Sequence, residues 1–287
     1  MEGVVGMRYI RLITGVGLVA VLISVLYGHI FVWLHERFTA ADTYYSHGFL
    51  VPLVCLVLSA LKHNALRRER PETGRPGLAV IIIALGLHLF STLADVFFVS
   101  GFSLVLLIAG IILFLFGGKI TRILAFPLFF LVFMIPVPLV AVNTISVPLK
   151  LFVTRAVVVL MEFVFRIPVR QEGFQIFFPN NASVIVENPC SGLRSVIVLI
   201  ALGSIFAYLL KARLRKRVLL FILSLPVAIL SNVVRVITLS LCVHIYGAAF
   251  TQRYIHDASG YLMFIVAFSG MILLWRVLQC KDSGSAT

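Results

Sequence analysis

Three residues in this chain carry reactive side chains at points where their neighbours would make them useful. Cys190 stands in "NPCSGLRS" (188–195), where a polar stretch passes into a long apolar run. Pro189 before it and helix formers after Gly192 place the cysteine at a helix amino terminus, which favours an anion such as a thiolate. Arg194 follows at i+4 on the same helical face. Arg235 lies inside another apolar run, "SNVVRVITL" (231–239). A guanidinium costs several kcal/mol there unless it is paired or near water, so it is functional by default. Asn232, at i−3, shares its face and is placed to orient it. His256, in "YIHDASGY" (254–261), supplies a side chain that titrates near neutral pH. Alone, each has an ordinary explanation: a packed cysteine, an arginine snorkelling to an interface, a solvated loop histidine. Together they make a thiol acyl-transfer site. Cys190 would attack a carbonyl, Arg235 would stabilise the oxyanion, and His256 would protonate the leaving amine. His47, in "YYSHGFLVPL" (44–53), is the rival acid/base.

The elements that must position these residues are membrane helices. Of 287 residues, 61% are hydrophobic and 12% charged, with a mean hydropathy of +1.10. A soluble domain of this size could not cover so much apolar surface. Eight candidate spans occupy roughly 10–33, 48–61, 77–94, 102–117, 123–140, 191–210, 218–246 and 258–276. The net charge of +13 is spread in short clusters between these runs, without interleaved aromatics, which excludes a nucleic-acid partner and marks orientation signals. Arg8 and Arg11, the Lys62–Arg75 group, Lys119 with Arg122, "KARLRKR" (211–217) and Arg276 with Lys281 all fall on one side if each span crosses once. That side is read as cytoplasmic, with both termini. Arg235 lies 18 residues beyond Arg217; at 1.5 Å per residue this is roughly 27 Å, close to the far face of a ~30 Å hydrocarbon core. Cys190, Arg235 and His256 then share one depth at the outer face.

Residues 145–165, "ISVPLKLFVTRAVVVLMEFVF", are apolar but carry Lys150, Arg155 and Glu162. They are expected to form an amphipathic helix at the outer interface, or a re-entrant element. In 166–189, "FQIFF" and "ASVIVE" flank the turn residues "PNN", which predicts a short β-hairpin outside the membrane. The amino terminus lacks a small-residue cleavage site and reads as an uncleaved span. Cys55, Cys190, Cys242 and Cys280 show no CxxC pairing, so no metal site, disulfide framework or cofactor is expected. The resulting fold class is an all-α polytopic membrane protein with about eight transmembrane helices, an outer interfacial helix and a short extracytoplasmic β-hairpin. A single domain would comprise five amino-terminal spans (1–140), the interfacial helix and loop (141–189), a three-span catalytic core (190–278) and a polar tail (279–287).

"CSGLR" (190–194), "NVVR" (232–235) and "HDASG" (256–260) resemble the three signature blocks of the exosortase/archaeosortase family, and "YYSHGFLVPL" (44–53) is similar to a fourth. "IPVRQEGFQIFFP" (167–179) resembles the family's strand region before the cysteine. The resemblance implies a membrane-embedded cysteine transpeptidase of the cell inner membrane, convergent with the soluble sortases of Gram-positive bacteria. Its partners would be exported proteins ending in a short motif (Pro-Glu-Pro in the commonest type), a transmembrane helix and a basic cluster. It would cleave at the motif and transfer the new carboxyl end to an acceptor, often in systems making extracellular polysaccharide. By the same resemblance the nucleophile is Cys190, the arginine Arg235 and the histidine His256. One departure is visible: many members have a glutamate two residues before the cysteine, whereas Glu187 is three before it.

Two other classes compete with this reading. In a transporter or channel linked to polysaccharide export, Arg235 would bind or gate an anion and Pro226 would break the seventh span. In a non-catalytic export scaffold, neither Cys190 nor Arg235 would matter. A Cys190→Ser variant separates them: peptide-bond cleavage in membranes stops, whereas solute flux through a transporter would survive the change.

Overall fold

Apolar runs become helices through most of the computed structural model, which describes residues 14–15, 17–40, 43–180, 182–186, 193–247 and 250–283, without the side chains of 252, 253, 256, 257 and 280–283. The chain divides into two compact units, Met1–Pro136 and Val137–Thr287. The boundary falls at Pro136-Val137-Pro138, where prolines two and four residues after Met134 forbid a continuing helix.

In the first unit, α1 (Gly17–Leu26) and α2 (Gly28–Thr39) meet at a 72° bend. A 3₁₀ turn, Ser46–Phe49, leads into α3 (Leu50–Ala60), followed by α4 (His63–Arg68), α5 (Arg75–Leu93), α6 (Phe97–Ile123) and α7 (Ala125–Phe130). Pro76 in the first turn of α5 is pre-set for a helix start. The helices α5 and α6 run antiparallel and very close, because glycine faces backbone where they touch. A Cβ on Gly77 would lie 2.3 Å from the amide nitrogen of Phe114, and one on Gly110 would lie 3.1 Å from that of Ile81. Small residues at such contacts replace the hydrophobic drive that lipid removes.

Several polar side chains inside this unit are linked by hydrogen bonds. The Tyr27 hydroxyl and Ser103 Oγ are hydrogen-bonded at 2.9 Å, and Ser103 Oγ donates to the Ser100 carbonyl at 2.8 Å. His88 Nδ1 is bonded to Ser100 Oγ, and its ring lies 4.0 Å from that of Tyr27. Cys55, buried on α3, donates its thiol to the Pro127 carbonyl at 3.1 Å. It ties α3 to α7, a packing role in keeping with a small hydrophobe.

The second unit contains α8 (Leu139–Phe163), β1 (Arg170–Glu172), β2 (Gln175–Phe177), β3 (Ser183–Ile185), α9 (Leu193–Leu209), α10 (Leu214–Tyr246) and α11 (His256–Ser283). The strands form an antiparallel sheet in the order β1-β2-β3. Ile176 of the central strand pairs with Gln171 on one side and Val184 on the other. Gly173, at φ 60°, makes the two-residue β1–β2 turn that a side chain would strain.

The helix α10 is the spine of this unit. With 33 residues it is about 50 Å long, well over a ~30 Å hydrocarbon core. Three apolar clusters are strung along it. Near its start Leu220 packs with Leu210, Met271 and Leu278; midway Ala228 packs with Val196, Leu199 and Ala267. Toward its end Val233, Val236, Leu239 and Val243 pack with Val153, Val157 and Met161 of α8 and with Ile176, Phe178 and Val186 of the sheet. At its base, Lys216 Nζ donates to the Leu278 carbonyl at 3.1 Å and Arg217 Nε to that of Leu210 at 2.9 Å. Cations thus satisfy carbonyls near the carboxyl ends of α9 and α11.

The span count differs from the expected eight. Among the described residues, five helices are long and apolar enough to cross a membrane, or up to six if the bent α1–α2 pair is one span. Expected spans two, five and six correspond to the shorter helices Ser46–Ala60, Ala125–Met134 and Leu193–Leu209. The apolar run of the fifth continues to residue 140, but its helix stops before Pro136 and Pro138. Conversely α8, expected at the interface, is 25 residues long and passes as a span by length and composition. Its Lys150 lies 5.4 Å from the Phe174 ring centre, so that cation is met by an aromatic face. In place of a two-stranded hairpin, three strands pair among the described residues, because the polar "RQE" segment also pairs.

The α5–α6 contact makes a paired prediction. Gly77→Val drives a side chain into the Phe114 backbone and destabilises by about 1–3 kcal/mol or more. Gly86→Ala meets nothing within 4 Å and leaves the melting temperature unchanged or higher, because alanine is the better helix former. Thermal scanning of the detergent-solubilised protein compares the two.

Candidate active site

Arg235 sits about two-thirds of the way along α10 and is 7% exposed. Its burial follows from the helix: Asn232, Val236 and Leu239, at i−3, i+1 and i+4, are buried with it. The guanidinium is held from the neighbouring helix. Arg235 Nε donates to Ser259 Oγ at 3.3 Å, and Ser259 is 2% exposed. This bond joins the "NVVR" and "HDASG" segments, which are 24 residues apart in sequence.

The connection between those helices is shaped to bring them together. Gly247, at φ 83°, ends α10; glycine takes that left-handed value without steric penalty. A π-helical turn, Thr251–Ile255, follows. Thr251, 3% exposed, donates its hydroxyl to the Gly247 carbonyl at 2.9 Å. The backbone of His256 then opens α11, placing it three residues, nearly one turn, before Ser259. Wide π turns of this sort recur at functional sites.

The other expected site residues are placed as follows. Cys190 lies outside the described residues, and so does the side chain of His256. Arg194 is half-buried at the start of α9, beside buried Leu193 and Ser195. Asn232 is 1% exposed, one turn before Arg235 on α10. His47 belongs to the first unit, on the 3₁₀ turn Ser46–Phe49, with its ring stacked on Tyr45 at 6.0 Å between centroids. The structure therefore brings Arg235 to the helix that His256 begins. Among the described residues there is no group of three or more His, Cys, Asp and Glu that could hold a metal ion.

Ser259 is the site residue that sequence reasoning did not single out, although it lies within "HDASG". The available signal was its spacing of three from His256, which puts both on one helical face. Further along α10, Ser240 is fully buried. Its hydroxyl and the Nδ1 of His244, four residues later, have no hydrogen-bond partner among the described residues. His244 faces the sheet region: its ring is 5.6 Å from that of Phe178, and its carbonyl accepts from Asn180 Nδ2 at 3.1 Å.

Chemically, the arrangement presents a fixed, desolvated cation. Such a group stabilises negative charge that develops beside it, with little reorganisation. Ser259→Ala removes the acceptor of Arg235 Nε, and the loss of a hydrogen bond to a charged group costs roughly 1.5–3 kcal/mol. Ser269→Ala, at an exposed position of the same helix, stays within about 0.5 kcal/mol. Chemical or thermal unfolding in detergent distinguishes the two variants.

A family model described as transmembrane exosortase (Exosortase_EpsH) matches residues 33–273. No curated protein and no solved structure matches the chain significantly.

Proposed function

Because the chain belongs to the transmembrane exosortase family, we propose that it is a membrane-embedded cysteine transpeptidase acting on exported proteins at the outer face of the cell inner membrane. The observation that carries this reading is the Arg235–Ser259 bond, which unites two of the three segments that bear the family's signature.

In the proposed reaction the Cys190 thiolate attacks the carbonyl carbon of a substrate peptide bond. The C–S bond forms, and the carbonyl oxygen takes up negative charge beside the Arg235 guanidinium. As the tetrahedral intermediate collapses, the C–N bond breaks and His256 gives a proton to the departing amine. The thioester is then resolved by an acceptor nucleophile, whose proton passes to His256. Asn232 and Arg194 act as positioning residues, and His47 is an alternative acid/base. No cofactor enters this scheme.

The substrate chemistry follows from the membrane. A protein carrying a carboxy-terminal motif, one transmembrane helix and a basic cluster would diffuse in the same bilayer with its scissile bond near the outer surface. A site at that depth meets the bond without drawing the helix from lipid, so binding is spent on orientation. The distribution of charge supports this sidedness. In the second unit Arg213, Arg215, Lys216 and Arg217 cluster at the base of α10, where Lys216 caps α11. Arg235 lies 18 residues away from that base along the helix, about 27 Å. A basic end favours the cytoplasm, which leaves Arg235 toward the outside and the end of α11 beside Lys216 inside; the amino terminus is proposed to lie on the same cytoplasmic side.

Trapping tests the reading. The enzyme co-expressed with a signal-bearing substrate accumulates a hydroxylamine-sensitive adduct on Cys190, seen by mass spectrometry. Arg235→Ala lowers the rate of adduct formation by about 10²–10³-fold, the usual effect of losing an oxyanion donor. An adduct that forms as fast without Arg235, or a substrate still cleaved by Cys190→Ser, overturns the mechanism.

A further inference from the structure

A second charged site lies in the first unit, at the end where α5 begins and α6 finishes. There α6 is broken at Gly117, whose φ of 82° and ψ of 175° are not helical. The segment preceding α5 is pinned into the break: the Glu72 amide donates to the Phe116 carbonyl at 3.4 Å, and the Gly74 amide to that of Phe114 at 3.0 Å. A Cβ on Gly117 would stand 2.6 Å from the Glu72 carbonyl oxygen. Only glycine therefore permits this approach. The break and the pinned segment enclose a cleft of about 360 Å³, lined by Arg70, Lys119 and Arg122 with Glu72, Phe116 and Gly117. That volume falls in the roughly 300–1,000 Å³ range of small-molecule sites.

The charge of the cleft is unbalanced. Arg70, Lys119 and Arg122 contribute three positive charges and Glu72 one negative. None of the three cations forms an ion pair with Glu72 or with another carboxylate among the described residues. All three are exposed to whatever occupies the cleft. A bare orientation signal needs only basic residues near a helix end. It does not need three of them converging on one concavity built around a helix break.

The site's depth identifies its ligand. The helices α5 and α6 are both long and apolar enough to cross a membrane, and the cleft lies where the apolar length of each gives out. A group bound there sits at headgroup level, with its acyl chains free to run along the exposed apolar flank of α5, where Leu78, Ile82 and Leu85 face outward. Two guanidinium groups and an ammonium suit a phosphate, which takes bidentate contacts from arginine and a point charge from lysine. We propose that the cleft of Arg70, Lys119 and Arg122 binds the phosphate headgroup of an anionic phospholipid. Basic pockets between membrane helices are a recurrent setting for such headgroups.

The full chain in a neutral detergent is titrated with short-chain phosphatidylglycerol, short-chain phosphatidylcholine and inorganic phosphate, following Tm and counting bound lipid by native mass spectrometry. Phosphatidylglycerol raises Tm and is retained, while phosphatidylcholine and inorganic phosphate leave it unchanged. Arg70→Gln, Lys119→Gln and Arg122→Gln each weaken phosphatidylglycerol binding about fivefold, and together roughly a hundredfold. The single variants decide if the triple does not fold. The charge-keeping triple Arg70→Lys, Lys119→Arg, Arg122→Lys retains most of the affinity. Arg67→Gln with Arg68→Gln, outside the cleft, is the control for diffuse surface charge and also retains it. An equal response to phosphatidylcholine overturns the proposal, as does full reproduction by inorganic phosphate, which would make the site one for a free anion. It is equally overturned by single cleft variants that bind normally, or by a control variant that loses as much as the triple.

Discussion

A positive charge that can neither shed its proton nor sit bare in hydrocarbon governs the second unit. A guanidinium carries its charge in any protein environment, so burying Arg235 requires partners, and one comes from another helix. That requirement explains the local architecture. The helix α10 must end beyond Arg235, the chain must reverse through Gly247 and the π turn, and α11 must start close enough for Ser259 to reach across. Above Arg235 the sheet packs on α8 and α10 through Ile176, Phe178 and Val186. Strands have unpaired edges that lipid does not tolerate, except where protein or water covers them. The guanidinium is therefore at the level where helix packing gives way to a small mixed α/β cap.

Much of this was legible in the sequence, for specific reasons. The apolar run at 218–246 predicted one long helix carrying Arg235, and α10 realises it from Leu214 to Tyr246. Turn chemistry around Pro179 and Asn180 marked the β2–β3 reversal that the pairing of Phe177 with Ser183 realises. Hydropathy was a poorer guide to helix length. It measures the solvent that a segment prefers, and it is blind to where the backbone stops. The run at 123–140 is apolar to its end, yet Pro136 and Pro138 cut the helix. Segment 139–163 carries Lys150 and Arg155 and still forms one continuous helix.

What sequence could not supply were the partners brought together by folding. Tyr27 and Ser103 are 76 residues apart, and serine is common enough in membrane helices to carry no signal of its own. Ser259 was hidden for the same reason: a small hydroxyl beside a histidine draws attention to the histidine. The strand Arg170–Glu172 lacks alternation and β-branching, so its pairing depends on Ile176 already being fixed against the core. Each was decided by tertiary context rather than by local propensity.

The bonds at the base of α10 have a mechanical consequence. Lys216 and Arg217 clasp the carbonyls of Leu278 and Leu210, so the lower ends of α9, α10 and α11 are tethered to one short stretch of chain. Gly203 lets α9 press against Ser224 just above, which stiffens that end further. Rigid rods anchored at one end behave as levers. Their relative displacement is smallest at the tether and grows with distance from it, so the Arg235–Ser259 bond, some 27 Å away, acts as a second tie holding α10 and α11 in step where free arms would diverge.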